Sequence, residues 1–260
     1  MSNFIRIVLV GPTSAGKSQF CNFLHKDLTN SIYKVGFSLN SCTLIPQSTI
    51  LSRQNIQLEL IDTPGSSDSN NNDEENLKSL TKYLRSKGKI HQILLVLSLE
   101  NALSCDTRKY LKILSWIFTP LQFISNLVVI FTHYPKDPDE DDIKRFKNCK
   151  NGINEELKKI FEFPVEFKDK IPEIPVYVFN TKIFNKNTLP CFDEESLKAS
   201  NDLIEEIKFR TSSNLYHPID TTDLECDKNK ISKKIELEKN ELLSKINELK
   251  YYQEKRKKAE

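Results

Sequence analysis

Apolar and polar positions fall into blocks of two periods along this chain. Short apolar runs rich in β-branched residues occur at Ile5–Val10, Gln47–Arg53, Ile56–Ile61, Gln92–Leu97, Leu127–Thr132 and Val176–Asn180, and each reads as a strand. Only Gln54-Asn55 separates the second run from the third, which predicts a tight antiparallel hairpin. Phe20, Phe23, Leu24 and Leu28 recur at helical spacing after the first strand. Further helical patterns cover about Glu74–Lys87, Asp106–Phe118, Asp141–Phe161 and Glu194–Arg210. Strands alternating with helices after a single hairpin predict an α/β fold. Its sheet is doubly wound and mainly parallel, with one antiparallel edge strand.

Three stretches break the pattern. Ser66–Asp73 contains no apolar residue and reads as a mobile loop, while Phe163–Pro175 and Phe184–Phe192 carry most of the later prolines and read as surface connections. Beyond Pro218 the character changes, and Thr222-x-x-Glu225 forms a capping box that opens a glycine- and proline-free run to Glu260. The expected division is a domain over residues 1–215 and a C-terminal helical extension over 216–260. Ile231, Ile235, Leu242, Ile246 and Leu249 trace one apolar stripe on that extension, interrupted by Glu238 and Lys245. Two readings stay open: a helix that packs back on the domain or ends in solvent, and a partner-binding helix or short coiled coil. The basic end, Lys255 to Lys258, fits a solvated tail, with an acidic-lipid contact as the alternative.

Composition narrows the classes. A net charge of +2 gives no argument for nucleic acid. Cys21, Cys42, Cys105, Cys149, Cys191 and Cys226 are scattered without a C-x-x-C pair or a histidine at ligand spacing, which points to thiols in a reducing compartment. The first residues do not resemble a signal peptide, and Ser2 stands where myristoylation requires glycine. The last residues are not a prenylation signal, and no apolar run reaches the ~20 residues of a membrane span. The expected location is the cytoplasm.

The chemistry concentrates in Gly11 to Ser18, G-P-T-S-A-G-K-S, which follows a strand and opens a helix. That is the context of a phosphate-binding loop. Gly11 and Gly16 let the backbone approach a phosphate chain, and the loop amides with the helix N-terminus supply positive potential. Lys17 reaches the β- and γ-phosphates and Ser18 offers its hydroxyl to Mg²⁺. Candidate nucleotide contacts therefore run over Gly11, Thr13, Ser14, Ala15, Gly16, Lys17, Ser18 and Gln19. Only six glycines occur in the whole chain, so those in proposed phosphate turns mark backbone that a Cβ would obstruct.

A second motif, Asp62-Thr63-Pro64-Gly65, directly follows the third strand. Asp62 there can hold the Mg²⁺ shell through water, and the Gly65 amide can sense the γ-phosphate. The pair of motifs favours a switch-type GTPase over a kinase. Thr43, between the first helix and the hairpin, is the candidate third metal ligand, with Thr49 as the alternative. After the fifth strand run, Thr132-His133-Tyr134-Pro135-Lys136-Asp137 stands where a guanine reader carries Asn-Lys-x-Asp. Pro135 offers no acceptor, so His133 is expected to stack on the base, with Asp137 or a later acid accepting its protons. Asn180 is placed to touch the base edge. Ser66 stands where many GTPases orient the attacking water with Gln. Asn70, Asn71, Asn72, a second subunit or an external protein are the alternatives.

These residues together resemble the immunity-associated nucleotide-binding GTPases (the GIMAP/IAN family), in the septin-like and chloroplast-import-receptor branch. The loop G-P-T-S-A-G-K-S is similar to that family's G-x-T-G-A-G-K-S. Ile90 to Leu97 followed by Glu100 to Ser104 resembles its characteristic box, Phe131-Thr132-His133 its variant base motif, and Phe179-Asn180 its last motif. The resemblance spans about residues 4 to 210. It implies a P-loop GTPase-like domain that binds GTP and GDP with Mg²⁺, turns over slowly, and forms a homodimer across the nucleotide face. Carried over by position, phosphate contacts fall on Ser14 to Ser18, the switch threonine on Thr43, and base contacts on His133 and Asn180, with Thr132 beside them. Ser14, Ser66 and Tyr134-Pro135 depart from the family pattern.

The expected function is a guanine-nucleotide switch with slow, Mg²⁺-dependent GTP hydrolysis, in which Lys17 stabilises phosphate charge. The alternative is a nucleotide-bound scaffold that does not hydrolyse and interacts through its C-terminal helix. An adenine-nucleotide enzyme is a third reading, drawn only from the altered base motif.

Overall fold

The computed structural model describes residues 4–25, 32–33, 45–65, 73–115, 117–135, 137–161, 174–180, 194–212, 218–222 and 224. Thr43, Ser66, Asn70, Asn71, Asn72, the connections at 163–173 and 184–192 and the expected helix beyond residue 224 lie outside them.

The apolar runs become one six-stranded sheet built from β1 (Phe4–Val10), β2 (Gln47–Arg53), β3 (Ile56–Asp62), β5 (Gln92–Ser98), β6 (Leu127–Thr132) and β7 (Val176–Val178). The spatial order is β2-β3-β1-β5-β6-β7. Only β2 runs antiparallel, paired with β3 from Gln47↔Asp62 to Arg53↔Ile56. Gln54 and Asn55 both take positive φ, 47° and 64°, which is the backbone a two-residue turn with matching twist requires. The expected architecture, doubly wound with an antiparallel edge, is therefore present.

Each central strand is apolar on both faces because helices cover both sides. Val8 and Val10 face one core with Leu84 of α2 (Asp73–Lys87), Leu111 and Leu114 of α3 (Cys105–Leu114) and Ile153 and Leu157 of α5 (Glu140–Ile160). Ile7 and Leu9 face the other, with Phe20 and Leu24 of α1 (Lys17–His25) and Leu203 and Ile207 of α6 (Glu194–Ser212). Parallel strands between two helical layers put all their C-terminal ends on one edge, where ligands of such sheets bind.

The helix expected over Asp106–Phe118 forms but stops early. α3 ends at Leu114 with Ser115 as its cap, and α4 (Pro120–Ser125) starts afresh. Pro120 cannot donate to a continuing helix but fits the first helical position, while Thr119 and Gln122 complete a capping box. The strand expected to reach Asn180 ends at Val178. A small second sheet pairs β4 (Lys89–Ile90) with β8 (Ile219–Asp220). The Thr221 hydroxyl donates to Leu84 O at 2.7 Å and also to Gly88 O. Ile219 and Leu224 are buried in the core, so residues 218–222 and 224 pack on the same body as the sheet.

At the end of the sheet remote from the phosphate loop, Glu59 bridges two cations. Its carboxylate accepts from Arg6 Nε at 2.6 Å and from Lys87 Nζ at 2.5 Å, while Arg6 Nη1 also donates to Lys87 O and Lys89 O. Burial pushes the Glu59 carboxyl up, but hydrogen bonds from Lys87, Arg6 and Ser48 and the Arg6 charge outweigh that and hold it below its ordinary value of 4.5. A carboxyl lowered in the folded state contributes stability above its unfolded value and loses it as pH falls through the folded one. Glu59→Gln is expected to lower unfolding free energy by about 2 kcal/mol at neutral pH, since two cations lose their partner. Urea unfolding of both proteins at pH 7 and pH 3 checks this. The gap should narrow at pH 3, and an equal gap at both would refute the assignment.

Candidate phosphate-binding site

The loop from Gly11 to Gly16 leaves the end of β1 and enters α1, so the first N–H groups of α1 line its concave side. Its path is forced by close approach. Gly11 has φ 157°, and a Cβ there would collide with the carbonyl oxygen of Val96 on β5. Gly16 has φ 88° and lies against the Thr132 side chain, so a Cβ would come within 3.3 Å of Thr132 Oγ1. Ser14, the departure from the family's loop glycine, is exposed and holds φ 61°. An L-residue in that conformation costs about 1 kcal/mol, which glycine would avoid.

Three side chains converge beside the loop. Lys17 is buried and its Nζ donates to Gly11 O and Pro12 O, both at 2.9 Å. Burial lowers its pKa to about 8, against the upward pull of the nearby Asp62 carboxylate. Ser18 Oγ donates to Asp62 Oδ2 at 2.6 Å, bringing together two of the three expected metal-site residues. Asp62 is fully buried at the end of β3, and the neighbouring Thr63 hydroxyl donates to Leu9 O at 2.6 Å, pinning the turn to β1.

Gly65 completes the group. A Cβ on it would lie 2.5 Å from Thr13 N, Cα and Oγ1, so the Asp62–Gly65 turn rests directly on the loop. Thr13 Oγ1 is itself buried and without a hydrogen-bond partner among the described residues. Ala15 is buried in the α1 core, and Gln19 lies half-buried in the first turn of α1.

The base-motif residues gather at the same edge of the sheet. Thr132 Oγ1 donates to Ala15 O at 2.7 Å, with Leu97 O at 3.3 Å, so this side chain steadies the phosphate loop. His133 follows with φ 60°, and its Nδ1 lies 3.1 Å from Thr132 Oγ1. Asn180 is carried to the same edge by β7, and its backbone N–H donates to Ser196 Oγ on α6 at 3.2 Å. The backbone bond from Tyr134 N to Phe179 O joins the two loops. The departure Tyr134 is a packing residue, edge-on to Phe146 with ring centroids 6.0 Å apart. Asp137 is exposed beyond it.

Thr49, the alternative metal ligand, is used elsewhere. It pairs with Leu60 rather than at the Asp62 end of β3, and its hydroxyl meets Tyr33 Oη at 2.6 Å and His25 Nε2 at 2.7 Å. Asn22 clamps the Tyr33 backbone on both sides, Nδ2 donating to its carbonyl and Oδ1 accepting from its N–H. Two further supports lie outside both phosphate motifs: the Val96 carbonyl under Gly11, and the Tyr110 hydroxyl of α3, which accepts the Gly11 N–H at 3.0 Å. Tyr110 sits on an apolar helical stripe, so its sequence marks it as core and hides its hydroxyl.

Among the described residues, no group of three or more His, Cys, Asp or Glu side chains forms an independent metal cage. None of the described helices is long and apolar enough to cross a membrane. Thr132→Val keeps shape but leaves Ala15 O without its donor, and is expected to cost about 1–2 kcal/mol. A thermal melt should show Tm about 2–6 °C lower, with Thr132→Ser near wild type. Equal melting of Val and Ser variants would remove the hydroxyl's role.

Similarity to known proteins agrees with this geometry. Among solved structures, Toc33 from Arabidopsis thaliana in complex with GDP and Mg²⁺ superposes with TM-score 0.66 at 15% identity, over 83% of this chain and 87% of that one. A dimerization-deficient mutant of Toc33 gives 0.65 at 17% over the same shares, and Toc33 with Mg²⁺ and GMPPNP gives 0.64 at 15%, again over 83% and 87%. At these identities the likeness establishes the fold. No curated protein matches the chain. The AIG1 family model matches residues 5–168, the stretch that holds β1 through α5, both phosphate motifs and the Thr132-His133 segment, and the chain belongs to the AIG1 family.

Proposed function

We propose that this chain binds GTP and GDP with Mg²⁺ and hydrolyses GTP slowly, as a switch whose turnover depends on self-association. The observation that carries the reading is the meeting of Lys17, the Ser18–Asp62 pair and Gly65 around one glycine-shaped loop. Such a loop presents N–H groups and one ammonium to a phosphate chain. Mg²⁺ suits the hard oxygen donors of Ser18 and, through water, Asp62, with Thr43 as the proposed switch ligand. When bound, the ion neutralises charge developing on the β- and γ-phosphate oxygens. Lys17 adds its ammonium to the same charge, and the Gly65 amide, lying over Thr13, reads whether a γ-phosphate is present.

Slow turnover follows from Ser66, which lacks the carboxamide that orients water in many GTPases. A second copy is the proposed source of what is missing. Toc33 lends support, because dimerization is described as important for the GTPase activity of chloroplast translocon components atToc33 and psToc159. His133, which follows β6, and Asn180, two residues beyond β7, are the proposed base contacts. Residues 216–260 are the proposed extension and partner surface. Free thiols at Cys21, Cys105 and Cys149 fit a reducing, cytoplasmic setting.

Equilibrium binding of GTP, GDP and ATP with Mg²⁺ tests the core of the proposal. Guanine nucleotides should bind more tightly than ATP, and Lys17→Ala should weaken GTP by at least about 30-fold, as loss of one partner of a buried charged contact does. ATP binding equal to GTP would sink guanine selectivity; unchanged affinity in Lys17→Ala would sink the loop assignment. Specific GTPase activity should rise with protein concentration. A flat series with no turnover would instead favour the non-hydrolysing scaffold.

A further inference from the structure

We infer that Tyr110 is a positioning residue for the phosphate loop, setting the peptide orientation at Gly11 on which the Lys17 ammonium depends. The inference rests on reading the loop as a nucleotide site. β1 is paired with β3 up to Leu9↔Asp62 and with β5 up to Val10↔Leu95, so the ladders stop just before Gly11. Gly11 is buried, and a buried amide without a partner is costly. The Tyr110 hydroxyl, 99 positions away, takes that N–H at 3.0 Å.

The other side of the same residue is also occupied, because Gly11 O accepts from Lys17 Nζ at 2.9 Å. Gly11 is thus held at its N–H by α3 and at its carbonyl by the lysine. It has no side chain to resist rotation, and the Val96 backbone lies close against it on the side where a Cβ would stand. Without the hydroxyl, rotation about Gly11 becomes the easiest relief for the orphaned N–H. That rotation moves the carbonyl which anchors Lys17, and so disturbs the part of the site that meets the β- and γ-phosphates.

α3 is itself well fixed. Ser104 caps its start by accepting from Thr107 N at 3.1 Å, and Arg108 reaches Glu156 of α5 at 3.3 Å. Tyr110 is 4% exposed within the shared core. The loop is thereby keyed to a helix outside every nucleotide motif. A displaced α3 would be felt at Gly11.

Tyr110→Phe in the full chain tests this, with affinities for GTP, GDP and GMP measured by competition in the presence of Mg²⁺. GTP and GDP should weaken about 5- to 30-fold, the factor that corresponds to about 1–2 kcal/mol lost from the Lys17 contact. GMP, which lacks the β-phosphate, should be unchanged. Affinities unchanged from wild type for all three nucleotides, or a uniform loss across all three, would overturn the positioning role. Wild-type protein that binds none of them would instead overturn the nucleotide reading itself. If the variant does not fold, hydrogen exchange at the Gly11 amide of wild type decides: slow exchange supports the bond to Tyr110, and exchange as fast as an exposed loop amide refutes it.

Discussion

The contact between Gly11 and the Val96 carbonyl is the constraint on which the rest of the site depends. Strands β1 and β5 run parallel and adjacent, and where β1 ends the chain must turn across the end of its neighbour. There is no room for a Cβ at that crossing, so the turn begins on glycine. From this point the loop direction, the start of α1 and the place of Lys17 follow in order. The turn is then secured by groups from three other elements: the Tyr110 hydroxyl of α3, the Thr132 hydroxyl of β6, and Thr13 against Gly65 after β3. A phosphate loop is often described as a local motif. Here its shape is a property of four strands and a helix.

Charge is used in two different ways at the two ends of the sheet. Around Glu59, opposite charges meet at close range and the carboxyl is held ionised, so the cluster serves cohesion. Around Lys17 the balance differs. The ammonium is buried, two neutral carbonyls are its nearest acceptors, and burial lowers its pKa to about 8 despite Asp62 nearby. A cation whose charged form is disfavoured by its surroundings gains most from an incoming anion, since that anion supplies the missing counter-charge. The first arrangement is what folding alone favours; the second makes sense when a polyphosphate completes it.

Much of this was legible in the sequence because it is written in short-range patterns. β-branched runs placed the six strands, the Gln54-Asn55 pair placed the hairpin, and the glycine loop and Asp62-Thr63-Pro64-Gly65 marked the site. What stayed hidden depends on partners far away in the chain. Thr132 reads as a base-motif residue, yet its hydroxyl serves Ala15, 117 positions earlier. Tyr110 reads as core, and only the end of the β1 ladder reveals why its oxygen matters. β4 and β8 contain two residues each, too few to show any periodicity. The helical pattern over Asp106–Phe118 overran α3, which stops at Leu114, and gave no sign of α4, which starts afresh at Pro120.

The departures from the family pattern also acquire a physical meaning. Ser14 occupies a left-handed position at the exposed tip of the loop, where a side chain meets solvent instead of Val96 or Thr13. Strain there is tolerable because it is local, whereas a side chain at Gly11 would collide with β5 and one at Gly65 would collide with the loop at Thr13. Tyr134 and Pro135 follow the same logic on the base side. Tyr134 is anchored against Phe146, and the backbone bond to Phe179 ties its loop to the one bearing Asn180. His133, at φ 60°, sits between that anchor and the Thr132 hydroxyl. The segment has exchanged an acidic side chain for packing that fixes the backbone on both sides of one imidazole. The backbone at this edge is therefore held by the sheet, and the phosphate loop keeps its geometry through the Thr132 hydroxyl and the Ala15 carbonyl.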